Sequence, residues 1–239
     1  YNGERFIADA LRSLQREPDA DLDIVVVDDG STDRTAAIVA AMAARDARIR
    51  LVAGAHRGVA AARNAGLAAA RGSLVAFLDC DDVSVAGRLK RQAQYLTSHD
   101  DIGLVVGDVY FVRALSPGLE PLPGSVIRRE TALLLGAAML RRSLFERYGG
   151  FDETLVYGED VDLYMRFWED NVPVHFDHEV SCLYRRHADN MTNDRAETRR
   201  WFVHCLQRSL ARRRIHGQPL NFPTIFARRY ETEDAFAGG

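Results

Sequence analysis

Short β-branched runs alternate along the chain with longer stretches whose apolar residues recur at helical spacing. The apolar runs that predict strands lie at 22–27, 49–53, 74–78, 102–112 and 137–141. After the first run, Ile38, Val39 and Met42 mark one face of a helix. Strands that alternate with helices are typical of an α/β protein, so we predict a Rossmann-like, mostly parallel central sheet flanked by helices.

Two of these predicted strands end in clustered carboxylates. The first runs into Asp28 and Asp29, and the third runs into Asp79, Asp81 and Asp82, an Asp-x-Asp segment. Carboxylates held a few ångströms apart repel one another unless a cation offsets their charge, and Mg²⁺ or Mn²⁺ prefer such oxygen ligands. Open α/β sheets bind ligands beyond the carboxyl ends of their strands, so we expect one shared site. Taken alone, an Asp-x-Asp segment is also typical of a solvated turn.

Two predicted helices begin with further candidate chemistry. A helix of small residues from Gly58 to Gly72 carries Arg63, which suits a phosphate at the helix N-terminus or an ordinary surface salt bridge. A later helix begins with Glu159 and Asp160, where the helix dipole stabilises negative charge. The residues alone leave a structural and a functional role open at both places.

Five short segments follow one another along the chain in a characteristic order. They are Tyr1-Asn2-Gly3, Val27 to Asp33, Ala62-Arg63-Asn64, Leu78 to Asp82 and Gly158 to Leu163. Together, across residues 1–192, they resemble the motifs of family 2 glycosyltransferases, which have the GT-A fold. The resemblance implies an inverting enzyme that moves a sugar from a nucleoside-diphosphate sugar to an acceptor hydroxyl with Mn²⁺ or Mg²⁺. It also implies a role in the synthesis of a polysaccharide or cell-envelope glycan.

The resemblance assigns catalysis to the beginning of the later helix. Asp160 is expected to be the general base and Glu159 to orient the acceptor, whereas Asp162 is expected to be a charge on the helix surface. The expected metal ligands are Asp79, Asp81, Asp82 and His187. His187 also fits the alternative of an ordinary surface histidine.

The resemblance also assigns residues to the donor nucleotide. Tyr1 is expected against the base, Asp28 at the ribose or the turn, and Asp29 at a pyrimidine imide N–H. Because a carboxylate needs a hydrogen-bond donor opposite it, UDP- or dTDP-linked sugars are the preferred donors. Arg63 and Arg186 are expected to contact the diphosphate.

The GT-A domain is expected to span residues 1–192. A Pro- and Gly-rich loop at 117–124 separates a predicted nucleotide-sugar-binding half, 1–112, from a predicted acceptor and catalytic-base half, 125–192. Residues 193–239 are predicted to form a helical, basic extension. The chain begins within what resembles the first βα turn of the family, so we expect the first strand to be missing and further residues to precede it.

Composition is that of one large globular domain. With 239 residues, 47% of them hydrophobic, the chain can bury a sizeable core, and a net charge of −3 gives no reason to expect a nucleic-acid partner. The last quarter is basic, which predicts solvated helix faces, with an anionic membrane surface or a lipid-phosphate acceptor as the alternative. Its arginines include Arg185, Arg186, Arg195, Arg199, Arg200, Arg208, Arg212, Arg213 and Arg214.

Cysteine content and hydropathy bear on location. Cys80, Cys182 and Cys205 form no close pair, which predicts reduced thiols in a cytoplasmic protein, with peripheral contact at the inner face of a membrane as a further option. Cys80 is expected to fill a small slot between site carboxylates. No apolar run approaches the roughly 18 residues that a membrane helix needs.

Other protein classes fit parts of this pattern. A receiver domain also has an acidic pair at a strand end, but it needs a lysine at a further strand end, and Lys90 is the only lysine. A sugar-nucleotide nucleotidyltransferase needs a Gly-rich phosphate loop, which is not visible here. A non-catalytic sugar-binding module remains an alternative that Asp79, Asp81 and Asp160 argue against. The expected acceptor is a hydroxyl of a glycan, a lipid-linked saccharide or a small molecule.

Overall fold

A computed structural model describes residues 1–17 and 21–216 of the chain. The helices are α1 (Ile7–Gln15), α2 (Thr35–Ala43), α3 (Val59–Ala69), α4 (Arg88–Ser98), α5 (Arg142–Tyr148), α6 (Glu159–Glu169) and α7 (Arg195–His216). The strands are β1 (Ile24–Asp28), β2 (Ile49–Ala53), β3 (Leu74–Ala76), β4 (Val83–Ser84), β5 (Leu104–Val112), β6 (Val126–Thr131), β7 (Ala138–Arg141) and β8 (Val174–Arg185). All five apolar runs therefore contain a strand.

The strands form two sheets within the described residues. β1 and β2 pair in parallel, and the other six strands form one sheet of order β3-β7-β5-β8-β4, with β6 also paired to β5. The predicted α/β class with a central sheet and flanking helices is confirmed. The larger sheet is more mixed than the mostly parallel arrangement expected, because β6 and β7 both run antiparallel to β5, while β8 runs parallel to it.

β5 is the central strand of the core. β8 pairs with one edge of β5, while β7 and β6 share the other, and Leu104, Val105, Val106 and Val109 are fully buried because apolar clusters cover the faces of the strand. A strand buried on both faces carries a largely apolar run, here interrupted by Gly107 and Asp108, which is why the sequence pattern identified it. This rigid strand lies next to the segments that carry the acidic residues.

Small residues let α3 lie close to β1, as its composition predicts. Ala60 and Ala61 are buried, and a Cβ atom added to Gly66 would lie 3.4 Å from Cγ2 of Val27. A larger side chain on this face would push the helix away from the sheet. The close packing brings Arg63, on the same helix, towards the carboxyl ends of the strands.

β6 is an element that the sequence pattern did not identify. None of its six residues is buried, so the segment lacks the apolar run by which other strands are recognised. The Pro- and Gly-rich loop that precedes it joins β5 to this antiparallel neighbour. Segment 113–125 therefore connects two paired strands of one sheet.

α7 begins the predicted basic extension and packs against α6. Arg212 donates to Asp162 at 3.0 Å, and Arg208 forms an ion pair with Asp152. The prediction that Asp162 is a surface charge is wrong, because the side chain is buried beneath these arginines. The extension beyond residue 216 lies outside the described residues.

Much of the basic charge therefore faces acids of the same chain. Arg185 also pairs with Asp9, at 2.9 Å. Across residues 1–17 and 21–216, no helix combines the length and the apolar character required to cross a membrane. The predicted membrane contact gains no support from this part of the chain.

A glycine in β5 provides a test of the packing between β5 and β8. A Cβ atom on Gly107 would overlap Oγ of Ser181 and lie 2.7 Å from the carbonyl oxygen of Glu179. We expect Gly107→Ala to lower the free energy of unfolding by about 1–3 kcal/mol, since backbone cannot move aside easily. Urea unfolding measures this loss. Gly118→Ala is the control: its nearest neighbour would be Oγ of Ser116 at 3.4 Å, so a comparable loss there would contradict the packing argument.

Candidate active site

The N-terminal residues are tied to the acidic turn that follows β1. The amide of Asn2 donates to Oγ of Ser31 and the amide of Gly3 donates to Oγ1 of Thr35, both at 2.8 Å. The amide of Thr32 donates in turn to Oδ1 of Asn2 at 2.9 Å. Two motifs about thirty residues apart thus form one hydrogen-bonded unit.

Asp28 and Asp29 are both buried and both shape loops. Asp28 accepts a hydrogen bond from the amide of Ser31 at 3.2 Å. Asp29 accepts from the amides of Arg57 and Gly58, at 3.0 and 2.8 Å. Burial opposes ionisation of Asp29, but the two amide hydrogen bonds outweigh it and lower its pKa. Asp29 therefore holds the loop that leads into α3.

Tyr1 has an aromatic partner that the sequence did not indicate. Its ring centroid lies 4.2 Å from that of His56, and both residues are exposed. The backbone of His56 has φ +54, in the left-handed region. No motif marks this histidine, because its position follows from the fold of the loop between β2 and α3. The two rings are tilted by 39° against each other and together form an exposed aromatic surface beside Asp29.

Arg63 bridges acidic residues from two distant motifs. Its Nη2 donates to Asp79 at 3.0 Å, and its Nη1 donates to Glu159. The Arg63 side chain is only 12% exposed. Burial alone would lower the pKa of Arg63, but Asp79, Glu159 and Asp160 reverse the effect and raise it. A permanent positive charge therefore lies between the two acidic segments.

Glu159 and Asp160 lie in the first turn of α6, as predicted. Burial and the negative charge of Asp160 raise the pKa of Glu159 to about 7, and Arg63 offsets part of this rise. Oδ1 of Asp160 accepts a hydrogen bond from the amide of Val161 at 2.8 Å. Two adjacent carboxyl groups thus have different surroundings, one buried against Arg63 and the other half-buried at the helix N-terminus.

Asp81 is paired with His187. Nε2 of His187 lies 2.9 Å from Oδ2 of Asp81, and Nδ2 of Asn190 lies 3.4 Å from the same oxygen. The ring of Phe6 packs on His187, with centroids 4.8 Å apart. Sequence reasoning missed Asn190, although it lies three residues after His187 and donates hydrogen bonds within the same segment.

Asp82 points into the protein, towards β8. Its Oδ1 accepts a hydrogen bond from the amide of Arg185 at 3.0 Å, and its Oδ2 lies 4.0 Å from the thiol of Cys182. Burial, together with the charges of Asp79 and Asp81, raises the pKa of Asp82 well above its usual range. These contacts give Asp82 a structural task at the end of β8.

Cys80 packs against the N-terminal turn. A Cβ atom on Gly3 would lie 3.0 Å from Sγ of Cys80, so a larger residue there would have to displace the cysteine side chain. Burial and the carboxylate of Asp81 raise the pKa of the thiol to about 12. As predicted, this cysteine fills a small slot beside the acidic residues, in the thiol form. Cys182 and Cys205 are also unpaired.

The two acidic segments face one small cavity of about 30 Å³. Its lining comprises Arg63, Asp79, Asp82, Leu134, Leu135, Gly136, Asp160, Cys182 and Tyr184. Sequence reasoning assigned no site role to the segment 134–136 or to Tyr184, which come from a loop and from β8. A larger cavity of about 220 Å³, between segments 100–103 and 170–173, contains none of the predicted site residues.

Arg186 lies in the segment that follows β8. It donates to Oγ1 of Thr192 at 3.0 Å and to Oδ1 of Asn193 at 2.9 Å. Both hydrogen bonds stay within this segment and brace it. The structure brings Arg63, not Arg186, into the cavity that the acids share.

The residues present fit a divalent cation in part. As they stand, no group of three or more His, Cys, Asp or Glu side chains in the described parts of the chain is arranged to hold a metal ion. Asp81 and His187 nevertheless place a carboxylate oxygen and an imidazole nitrogen 2.9 Å apart, and both are ligand types that Mn²⁺ accepts. Asp79 accepts a hydrogen bond from Arg63 but is still 51% exposed, whereas Asp82 is buried and accepts a hydrogen bond from the amide of Arg185.

Comparison with known proteins identifies the family. The family model described as "Glycosyl transferase family 2" matches residues 1–149, more than half of the chain. This chain belongs to glycosyl transferase family 2. The matched region ends before α6, so the first turn of that helix is placed at the site by the structure.

The relatives include a protein named as a glycosyltransferase and a protein named for succinoglycan biosynthesis. The uncharacterized glycosyltransferase EpsJ of Bacillus subtilis is 32% identical over 208 residues, which cover 80% of this chain and 60% of EpsJ. The succinoglycan biosynthesis protein ExoU of Rhizobium meliloti is 33% identical, over 69% of this chain and 54% of ExoU. The chain thus spans somewhat more than half the length of these relatives. The predicted enzyme class, a glycosyltransferase, is confirmed at the level of the family.

Solved structures confirm the GT-A fold. S. aureus TarS 1–349 in complex with UDP-GlcNAc superposes with a TM-score of 0.67 at 22% identity, over 87% of this chain and 63% of that chain. The mannosyltransferase PcManGT from Pyrobaculum calidifontis, in complex with GDP-Man and Mn²⁺, gives a TM-score of 0.69 at 20% identity, over 88% of this chain and 62% of that chain. At such identity the likeness establishes the fold.

The raised pKa of Glu159 predicts a pH dependence of stability. In the folded chain the carboxyl group keeps its proton up to about pH 7, whereas its ordinary pKa is 4.5. Between these values the folded state binds more protons than the unfolded state, so the free energy of unfolding decreases as the pH rises from 4.5 to about 7. We expect Glu159→Gln to lose this decrease in urea titrations across that window. The exposed Glu146→Gln is the matched control, and a Glu159→Gln curve parallel to it would refute the assignment.

Proposed function

We propose that this chain forms the donor-binding and catalytic part of an inverting glycosyltransferase. It would move a sugar from a nucleoside-diphosphate sugar to a hydroxyl group of an acceptor. The observation that carries the proposal is the single cavity lined by Asp79, Asp160 and Arg63. An acid at a β-strand end, an acid at a helix N-terminus and a cation between them are the groups that this transfer needs.

Asp160 is the proposed general base. An acceptor hydroxyl must lose its proton as its oxygen attacks the anomeric carbon, and a positioned carboxylate contributes roughly 10²- to 10⁴-fold to such a step. Asp160 lies in the first turn of α6, and its Oδ1 accepts a hydrogen bond from the amide of Val161 at 2.8 Å, which holds the carboxylate at the edge of the cavity. Direct displacement by the hydroxyl oxygen inverts the configuration at the anomeric carbon. Glu159, held by Arg63, orients the acceptor.

Arg63 is the proposed diphosphate contact, and Asp79, Asp81 and His187 are the proposed ligands of Mn²⁺ or Mg²⁺. Negative charge exceeds positive charge around the cavity, since Arg63 faces Asp79, Glu159 and Asp160 together. When bound, a divalent cation neutralises charge on the departing nucleoside diphosphate. We assign Asp82 to supporting the turn, and Arg186 to bracing the segment that carries His187.

The nucleoside is proposed to lie against Tyr1, with uracil or thymine as its base. Tyr1 and His56 supply a stacking surface, and Asp28 lies at the adjacent turn. The preference for a pyrimidine rests on Asp29, whose oxygens each accept one amide hydrogen bond while a carboxylate has capacity for more. UDP- or dTDP-linked sugars are therefore the proposed donors.

The proposed acceptor is a growing glycan, either free or lipid-linked. The support is the name of ExoU, a succinoglycan biosynthesis protein, among the relatives. Residues 1–112 and 125–192 are proposed as the donor and acceptor halves of the domain. A non-catalytic sugar-binding module has the same fold class but needs no base, so turnover separates the two functions.

Binding of nucleoside diphosphates tests the donor site. We expect calorimetric titration to show Mn²⁺-dependent binding, with UDP or dTDP tighter than GDP or ADP. Asp81→Asn should weaken binding about tenfold or more with Mn²⁺ present, because a metal ligand is lost, and should change it little in the presence of a chelator. The exposed Asp101→Asn serves as the control. Equal affinity for all four diphosphates in the presence of Mn²⁺, unchanged when a chelator is added, would reject the donor-site assignment.

Replacement of Asp160 tests catalysis. We expect Asp160→Asn to lower kcat for donor hydrolysis and sugar transfer by roughly 10²- to 10⁴-fold, because the carboxylate that accepts the proton is gone. UDP affinity should stay within about twofold of the wild type, because the proposed base acts on the acceptor hydroxyl and does not bind the nucleotide. Asp170→Asn, at the other end of α6, is the matched control. Full activity of Asp160→Asn would remove Asp160 from the mechanism.

A further inference from the structure

Asp162, two residues beyond the proposed base, is surrounded by arginines. Its side chain is 2% exposed and accepts hydrogen bonds from Nε of Arg166 and from Nη1 of Arg212, both at 3.0 Å. Nε of Arg208 lies 3.5 Å from the same carboxylate. Arginines remain charged at any accessible pH, and these three are only partly exposed, so the buried carboxylate of Asp162 offsets their mutual repulsion while they in turn compensate its burial.

Two of these arginines connect Asp162 to α7. Arg212 also pairs with Glu169 at 2.8 Å, and Arg208 pairs with Asp152. The ion pairs therefore join three points of the α6 region to one face of α7. Each partner is an acid that precedes α7 in the chain, so the helix cannot shift along α6 without breaking several charged hydrogen bonds.

A second contact from α7 reaches the turn before the base. Sγ of Cys205, which is fully buried, donates to the carbonyl oxygen of Gly158 at 3.4 Å. Gly158 precedes Glu159 and has φ +76, which favours glycine. A Cβ atom at Gly158 would also lie 3.2 Å from Sγ of Cys205. The conformation that begins α6 is thus packed directly against α7.

Arg166 extends the same network towards Arg63. Its Nη2 donates to the carbonyl oxygen of Gly150 at 2.7 Å. The next residue, Phe151, exchanges two hydrogen bonds with the side chain of Asn64, each 2.8 Å long. Asn64 follows Arg63 in α3. Asp162 is therefore connected through Arg166 to the helix that carries the central cation of the cavity.

We propose that Asp162 is a positioning residue that holds the first turn of α6 in register with Arg63, and that α7 is needed for this task. The proposal rests on the proposed function, because it takes Asp160 as the base. If the base is displaced by about 1 Å, the rate of the reaction falls by up to roughly 10²-fold. The nucleotide site, built on β1 and α3, keeps its shape. Asp162 thus affects turnover without contacting donor or acceptor.

The test compares variants of the full chain. We expect Asp162→Asn to lower kcat for donor hydrolysis about 10- to 100-fold while KM for the donor and UDP affinity stay within about twofold. Arg212→Gln should act in the same direction with a smaller loss. Arg200→Gln is the matched control, because Arg200 lies on the exposed face of α7, with 74% of its side chain accessible, and should leave kcat unchanged.

Coupling to Asp160 separates positioning from a general loss of structure. If Asp162 acts through the base, the residual rate of Asp160→Asn should not fall further when Asp162→Asn is added. A multiplicative loss in the double variant, or a parallel loss of UDP binding, would overturn the proposal. If Asp162→Asn fails to fold, Arg212→Gln carries the same comparison. If Asp162→Asn keeps its kcat while Asp160→Asn is inactive, only the positioning role of Asp162 is rejected. If Asp160→Asn is active, the assignment of Asp160 as the general base is rejected.

Discussion

The site depends on one buried guanidinium. Arg63 donates to Asp79 and to Glu159, two acids that lie 80 residues apart in sequence, and it is nearly inaccessible to solvent. Without this cation, the acidic turn after β3 and the first turn of α6 would repel one another across a small cavity. The ion pairs therefore hold together the two surfaces between which a donor and an acceptor would meet.

Placing an arginine there constrains the rest of the domain. α3 approaches β1 closely because of its small residues, and Asn64 joins the same helix to the backbone of Phe151. On the other side, α6 begins directly after Gly158 and is held by α7 through Cys205 and the arginines around Asp162. The side chains around the cavity are thus held by α3 and α6, and the positions of these two helices are determined by packing and by ion pairs.

The electrostatic surroundings give neighbouring acids different tasks. Asp82 turns inward to the backbone of Arg185, whereas Asp81 meets His187, although the two acids are adjacent in sequence. Glu159 is buried and has a raised pKa, whereas Asp160 lies beside it at a helix N-terminus. The sequence motif alone does not distinguish these carboxylates, because the surroundings of each one depend on which strand or helix faces its side chain.

The sequence by itself determined the α/β class, the strand positions with apolar runs and the motifs that belong to family 2, because hydrophobic period and turn residues are local properties. It did not reveal β6, which has no buried residue, or the burial of Asp162. That burial comes from Arg212, 50 residues later in the chain. Only the tertiary structure decided such pairings, since contacts between residues far apart depend on how the helices pack against the sheet.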